Sequence, residues 1–276
     1  MIEHKDIDWY FYHGALMPRV SPHRNVSLSK EDARGLLKKS GALFLRYTDD
    51  WDRNEESEFW YIVKDDFKGM DEVSSNTRNQ IRKGQKYCTI KKVTCQEVAA
   101  NGYETYKNAF DSYNTHLKPM SQKIFYDNTM NASNYEFFAV YQKESGKMIA
   151  YSSNIIDADV CSYTTIKLHP KYLKLYPSYI LFYEMNKYYL KDKGVKYVHD
   201  GARSVSHDTN IHAFLLQKFK FRKVYCRLHV IYRWEVKLAV MVLYPFRNIL
   251  KKFDHNIANK ISVLLRQEEI RKSFDK

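Results

Sequence analysis

A mixed α+β fold is predicted by three observations. From Phe137 to Trp234, alternating and amphipathic runs succeed one another as strand, strand, strand, helix, strand, helix and strand. Ahead of them, from about Ala42 to Asn131, strand-like and helix-like runs alternate less regularly. Beyond Trp234 the pattern changes to an apolar run and a helical tail. A chain of 276 residues suits two closely packed halves of one fold. The expected divisions are residues 1–131, 132–235 and a basic helical tail, 236–276.

Each element has a local reason. Ser29-Lys30-Glu31-Asp32 starts a helix that runs to Lys39 and stops at Gly41. Ala42 to Tyr47 and Phe59 to Lys64 read as strands joined by a loop rich in Asp, Glu and Asn. Ser75 is expected to cap a helix from Asn76 to Lys83 that Gly84 ends. Cys88 to Val93 is a strand, and Gln96 to Tyr113 and Ser121 to Met130 are helical by periodicity. Phe137 to Gln142, Met148 to Ile156 and Cys161 to Leu168 are strands joined by the turns Glu144-Ser145-Gly146-Lys147 and Asp157-Ala158-Asp159. A loop from His169 to Tyr179 opens into a helix from Ile180 to Leu190. Lys196 to Asp200 is a strand, Asn210 to Lys218 a helix and Tyr225 to Trp234 a closing strand.

Several words in this order resemble those of the Fem-type peptidyltransferases of the GNAT superfamily. They are Lys174-Leu175-Tyr176-Pro177-Ser178-Tyr179-Ile180-Leu181 in the loop, His199-Asp200-Gly201-Ala202-Arg203, and Phe214-Leu215-Leu216-Gln217-Lys218-Phe219-Lys220-Phe221-Arg222-Lys223. Upstream, Ser74 to Gly84 is similar to the Fem-type helix that ends in isoleucine, arginine and lysine. The resemblance implies a GNAT-type fold of two related halves, with the strands on either side of the helix after Leu168 splayed. It also implies acyl or aminoacyl transfer to an amine of a cell-envelope or polysaccharide-type precursor. The donor is then acyl-CoA, an acyl carrier protein or aminoacyl-tRNA. One departure bears on the donor: Tyr176-Pro177-Ser178-Tyr179 stands where a typical GNAT loop carries glycines.

Composition bounds the partners. The hydrophobic fraction of 44% with 28% charged residues is globular, and a net charge of +13 favours an anionic partner such as a nucleotide-linked donor, RNA or an anionic lipid surface. Cys88, Cys95, Cys161 and Cys226 show neither zinc-finger nor disulfide-framework spacing, so no metal is expected. The start Met1-Ile2-Glu3-His4 lacks a secretory signal, and a reduced cytoplasm is the expected compartment. Leu238 to Tyr244 is too short for a bilayer span, which takes about 20 apolar residues. With the basic run after it and the helix Ile257 to Lys272, it suits peripheral contact with the inner membrane surface or docking on the core.

Candidate chemistry falls in three places. Lys171, Lys174 and the helix start at Ser178, Tyr179 and Ile180 form a candidate phosphate cradle for the donor. Arg78, Arg82 and Lys83, with Arg203, are candidate ligands of an anionic substrate group, because positions four apart share a helix face. Transfer to an amine needs a base, an acid and carbonyl polarisation, and Asp200, His207 and Tyr225 are the candidates for acid–base work. No G-x-S-x-G elbow occurs, which argues against a serine hydrolase. The alternative to an enzyme is a non-catalytic basic binding module of the same fold for RNA, a nucleotide-linked ligand or a protein.

Overall fold

The computed structural model describes the chain except residues 13, 114–117, 206–209, 251–255 and 276, and of 256–258 it describes the backbone alone. The chain starts with β1 (Ile2–His4), β2 (Ile7–Tyr12), β3 (Ala15–Pro18), α1 (Lys30–Ser40), β4 (Phe44–Asp49) and β5 (Trp60–Lys64). It continues through α2 (Ser75–Tyr87), β6 (Cys88–Val93), α3 (Cys95–Asn101), α4 (Tyr103–Asp111), α5 (Gln122–Met130), β7 (Glu136–Gln142), β8 (Met148–Asp157) and β9 (Val160–Leu168). Then come α6 (Pro177–Asn186), β10 (Tyr197–Ala202), α7 (Asn210–Phe219), β11 (Arg222–Tyr225), β12 (Arg227–Tyr232), α8 (Trp234–Leu243), α9 (Arg247–Leu250) and α10 (Asn256–Lys272).

The fold is mixed α/β, as the element order predicts, but its compact units are not successive halves. One unit comprises Met1–Tyr61, Ala202–Thr209 and Lys223–Lys276, the other Ile62–Gly201 and Asn210–Arg222. Pairing between strands far apart in the chain sets this division. β12 lies antiparallel on β4, Arg227 opposite Asp49 and Tyr232 opposite Phe44, so the tail beyond 235 belongs with the N-terminal residues. β6, counted with the first half by its position, lies antiparallel on β7, from Cys88 opposite Gln142 to Val93 opposite Phe137.

In the first unit the sheet order is β1-β2-β3-β4-β12. Its opening hairpin turns on Lys5 and Asp6, both at positive φ, the geometry of a type I′ turn. These first strands are an addition to the sequence reading. α1 carries the expected capping box, Ser29 with Asp32, and Gly41 closes it in the left-handed region. One face of the sheet packs Trp9, Leu16 and Leu45 on Leu36 and Leu37 of α1. The other packs Phe44, Leu228 and Val230 with Ile270 of α10, so the C-terminal helix completes a core.

The seven-stranded sheet has the order β11-β5-β10-β9-β8-β7-β6, and β6 to β9 lie wholly in the second unit. Val98, Tyr106 and Phe125 of α3, α4 and α5 pack on Phe137, Ala139 and Tyr151. α6 is deeply buried through Leu181, Phe182 and Met185, and Asn186 accepts a 2.8 Å hydrogen bond from the buried Tyr163 hydroxyl. β9 and β10 run parallel, but their pairing spans only Val160–Ser162 against Tyr197–His199. Beyond it the strands part. A register shift between Ser153 and Asn154 puts Thr164 out of step in β9 just past that point, and such a bulge bends and twists the strand that carries it.

Boundaries differ from expectation where packing decides. Ser74, not Ser75, caps α2 through the Thr77 N–H. Gly84 lies inside α2, which runs on to Tyr87. The run Gln96 to Tyr113 is two helices broken at Gly102, where a Cβ would stand 2.7 Å from the Val98 carbonyl oxygen. The closing strand is two strands that break at Cys226. The loop after Leu168 contains a 3-10 turn, Pro170–Leu175. α6 then starts three residues earlier than predicted, at Pro177, and gives way to a π-helical stretch, Lys187–Asp192.

Candidate anion cleft and acid–base pair

The second unit brings the basic helix and the donor loop together. A Cβ on Gly84 would overlap Ile180 Cγ2 and stand 3.0 Å from the Tyr176 carbonyl oxygen, so only glycine lets α2 approach the start of α6 this closely. Tyr176 itself sits in the left-handed region at φ 58° and ψ 40°, a conformation that costs a non-glycine residue about 1 kcal/mol or more. Pro177 fills the first helical position, where no N–H is needed. Beside this junction lies a cleft of 390 Å³ lined by Asn76, Asn79, Gln80, Arg82, Lys83, Lys86 and Tyr176. Lys83 Nζ stands 5.7 Å from the centre of the Tyr176 ring. Arg82, Lys83 and Lys86 therefore line one cleft with Tyr176, the residue that precedes the first turn of α6.

Gly84→Ala is expected to destabilise the protein by about 1–2 kcal/mol. The methyl group gains about 1 kcal/mol of helix propensity, but crowding against a buried isoleucine and a backbone oxygen costs typically 1–3 kcal/mol and outweighs it. Thermal unfolding checks the sign, and stabilisation by the alanine would mean that the helices do not touch here.

The predicted ligands divide. Arg82 and Lys83 line the cleft, and Lys86 joins them because the helix continues past Gly84. Arg78 is only partly exposed, its guanidinium 3.9 Å from Asp71, outside the cleft lining. Lys171 lies over the Tyr172 ring, and Lys174 is exposed in the 3-10 turn. Ser178 is half-buried. The Tyr179 N–H donates to the Tyr176 carbonyl at 3.1 Å, while its ring packs on Phe214 and Phe219. Ile180 is buried against α2. Asn76, Asn79 and Gln80 were missed, although their spacing with Lys83 is that of one helix face.

Asp200 sits at the end of β10, past the point where β9 and β10 separate. Its carboxylate Oδ2 lies 3.4 Å from His212 Nε2, and both side chains are about one-tenth exposed. Burial raises the Asp200 pKa, and His212 opposes that shift. Next to it, His199 Nδ1 accepts the Gly201 N–H at 3.2 Å, which leaves the proton on Nε2. Burial lowers the His199 pKa to about 4. His207, the partner expected for Asp200, lies outside the described residues. His212 was not selected from the sequence, because its pairing depends on where α7 packs.

Arg203 and Tyr225 belong to the first unit. Arg203 donates to the Glu58 carboxylate at 2.6 Å and to the Glu58 carbonyl at 2.8 Å. Its charge is thus already paired. Tyr225 ends β11, where desolvation and then Glu56 raise its pKa. Among the described residues no group of three or more His, Cys, Asp or Glu side chains is placed to hold a metal ion, and no helix is long and apolar enough to cross a membrane.

No family pattern matches this sequence, and no curated protein matches it. Solved structures do. The C-terminal domain of an Agrobacterium fabrum protein named for lysylphosphatidylglycerol synthetase superposes with a TM-score of 0.54 at 11% identity, over 86% of this chain and 84% of that one. L-PGS from Bacillus licheniformis superposes at 0.52 with 10% identity, over 95% and 85%. FemX superposes at 0.50 with 11% identity, over 82% of each chain. The chain has a GNAT-type fold that resembles the Fem branch. Identities this low speak for the fold alone.

Proposed function

We propose that the chain is an acyl- or aminoacyltransferase that moves an acyl group from a phosphate-bearing donor to an amine of a cell-envelope or polysaccharide-type precursor. The observation that carries this reading is the junction of α2 and α6. It gathers Arg82, Lys83 and Lys86 beside Tyr176, the residue that leads into the helix following β9, and helix N-termini in such connections bind anions. Donor phosphates lie in that cleft, with Lys171 and Lys174 as outer charges and the Ser178 amide as a backbone donor. The name of one structure that shares the fold contains lysylphosphatidylglycerol, an aminoacylated lipid. An aminoacylated product is a reason to try aminoacyl-tRNA beside acyl-CoA and acyl carrier protein as donors, and the reaction is placed in the cytoplasm.

The chemistry needs the amine proton removed as nitrogen attacks the acyl carbon, and a proton supplied to the departing thiol or hydroxyl. Asp200, buried with a raised pKa and held by His212, suits the first task. For the second, His207 and Tyr225 remain candidates from the sequence alone. Mass spectrometry of purified protein incubated with each donor class and a panel of amines tests the proposal. Asp200→Asn is expected to lower transfer about 100-fold or more, with His207→Gln and Tyr225→Phe deciding the acid. Donor binding without turnover on any acceptor would instead favour the basic binding module.

A further inference from the structure

The first unit leaves an apolar stripe in water. Trp234, Leu238, Met241, Val242, Phe246 and Ile249 are each more than half exposed, Trp234 at 72%. Apart from the neighbours Met241 and Val242, which straddle the row, their steps of three to four residues place them along one side of α8 and its continuation through the turn Tyr244–Phe246 and α9. Val240, on another side of α8, is buried. Single exposed apolar residues are ordinary, but a contiguous row of six large ones marks an interaction surface.

We propose that this face docks on an anionic lipid surface. Charge selects that occupant. Along residues 234–250 the only acid, Glu235, is already paired with Arg233 at 3.0 Å, and of the two cations Arg247 is paired with Glu269, which leaves Lys237 as the charge on the stripe, in a chain of net charge +13. Lys237 falls within the stripe, three residues after Trp234 and four before Met241, and is exposed with no acid partner among the described residues. The cores of protein interfaces are depleted of lysine, whereas lysine beside apolar side chains suits a headgroup layer, where its stem lies among lipid and its ammonium meets phosphate. Trp234 at one end and Tyr244 at the other have the amphipathic character of the membrane–water interface, and Phe246 adds apolar area. Ten residues of helix span about 15 Å, half of the hydrocarbon thickness of roughly 30 Å, so α8 lies in the interface plane with its apolar side at the acyl boundary.

Sedimentation of the full chain with vesicles tests this. Wild type is expected to partition onto phosphatidylcholine vesicles containing phosphatidylglycerol, and less strongly at high salt. Leu238→Asp with Met241→Asp is expected to lower that partition about 10-fold or more with the thermal midpoint unchanged, because both positions are exposed. Lys237→Glu, which keeps the apolar face, is expected to lose about 3-fold or more on the anionic vesicles alone. The proposal is overturned if wild type ignores the anionic vesicles or if the double variant partitions equally well. It is overturned too if light scattering shows a wild-type dimer that the double variant splits, since the face would then belong to a second copy.

Discussion

Glu72→Ala is expected to cost about 3 kcal/mol of unfolding free energy. Lys64 on β5 is only 1% exposed, and its ammonium lies 3.0 Å from Glu72, whose side chain is 8% exposed. Asp66 stands farther off, at 3.4 Å, and is half exposed. Removing the buried carboxylate strands a cation in the interior, and breaking such a pair typically costs about 3–5 kcal/mol. The remaining Asp66 puts the expectation at the low end. Glu72 also accepts the Lys68 N–H at 3.1 Å, so the substitution loosens the turn that leads into α2. Urea denaturation of Glu72→Ala and of the double variant with Lys64→Met separates the causes. The double variant should recover about half of the loss, because the stranded charge is gone. Equal instability of the two would show that the lost carboxylate contacts, not the buried charge, are responsible.

Arg82→Ala with Lys83→Ala is expected to weaken donor binding roughly 100-fold, at about 1.5 kcal/mol for each charged contact. Stability should stay within about 0.5 kcal/mol of wild type, since both side chains are exposed. Arg78→Ala is the informative control. Sequence spacing groups Arg78 with Arg82, but the structure turns it toward Asp71 and leaves it out of the cleft lining, so its loss should change affinity less than about 3-fold. Calorimetry with CoA, acyl-CoA and aminoacyl-tRNA at low and high salt gives the comparison, and the wild-type advantage should shrink as salt rises. Equal losses for Arg78→Ala and the double variant would mean a diffuse field rather than a cleft. Unchanged affinity in the double variant would remove the donor site from this junction.

The amino-acid sequence by itself determined what depends on neighbours within a few residues. Ser29 and Asp32 close a capping box, Ser121 caps α5, and the alternation in Cys88–Val93 marks β6 at its observed ends. Side-chain caps and periodicity act over one or two turns and need no partner elsewhere. The basic residues and the donor loop were also legible, as two separate sites. Tertiary packing brought them side by side. Gly84 is the turning point: its lack of a side chain reads locally as a helix stop, yet inside α2 it serves a close approach to Ile180, nearly a hundred residues on. Likewise Asp200 was legible as a candidate acid or base, while its partner His212 depended on where α7 packs beside β10. The division into units was decided by β4 pairing with β12 and β6 with β7. Such pairings are selected by which apolar faces can be buried together, and that complementarity between distant segments leaves no local pattern to read.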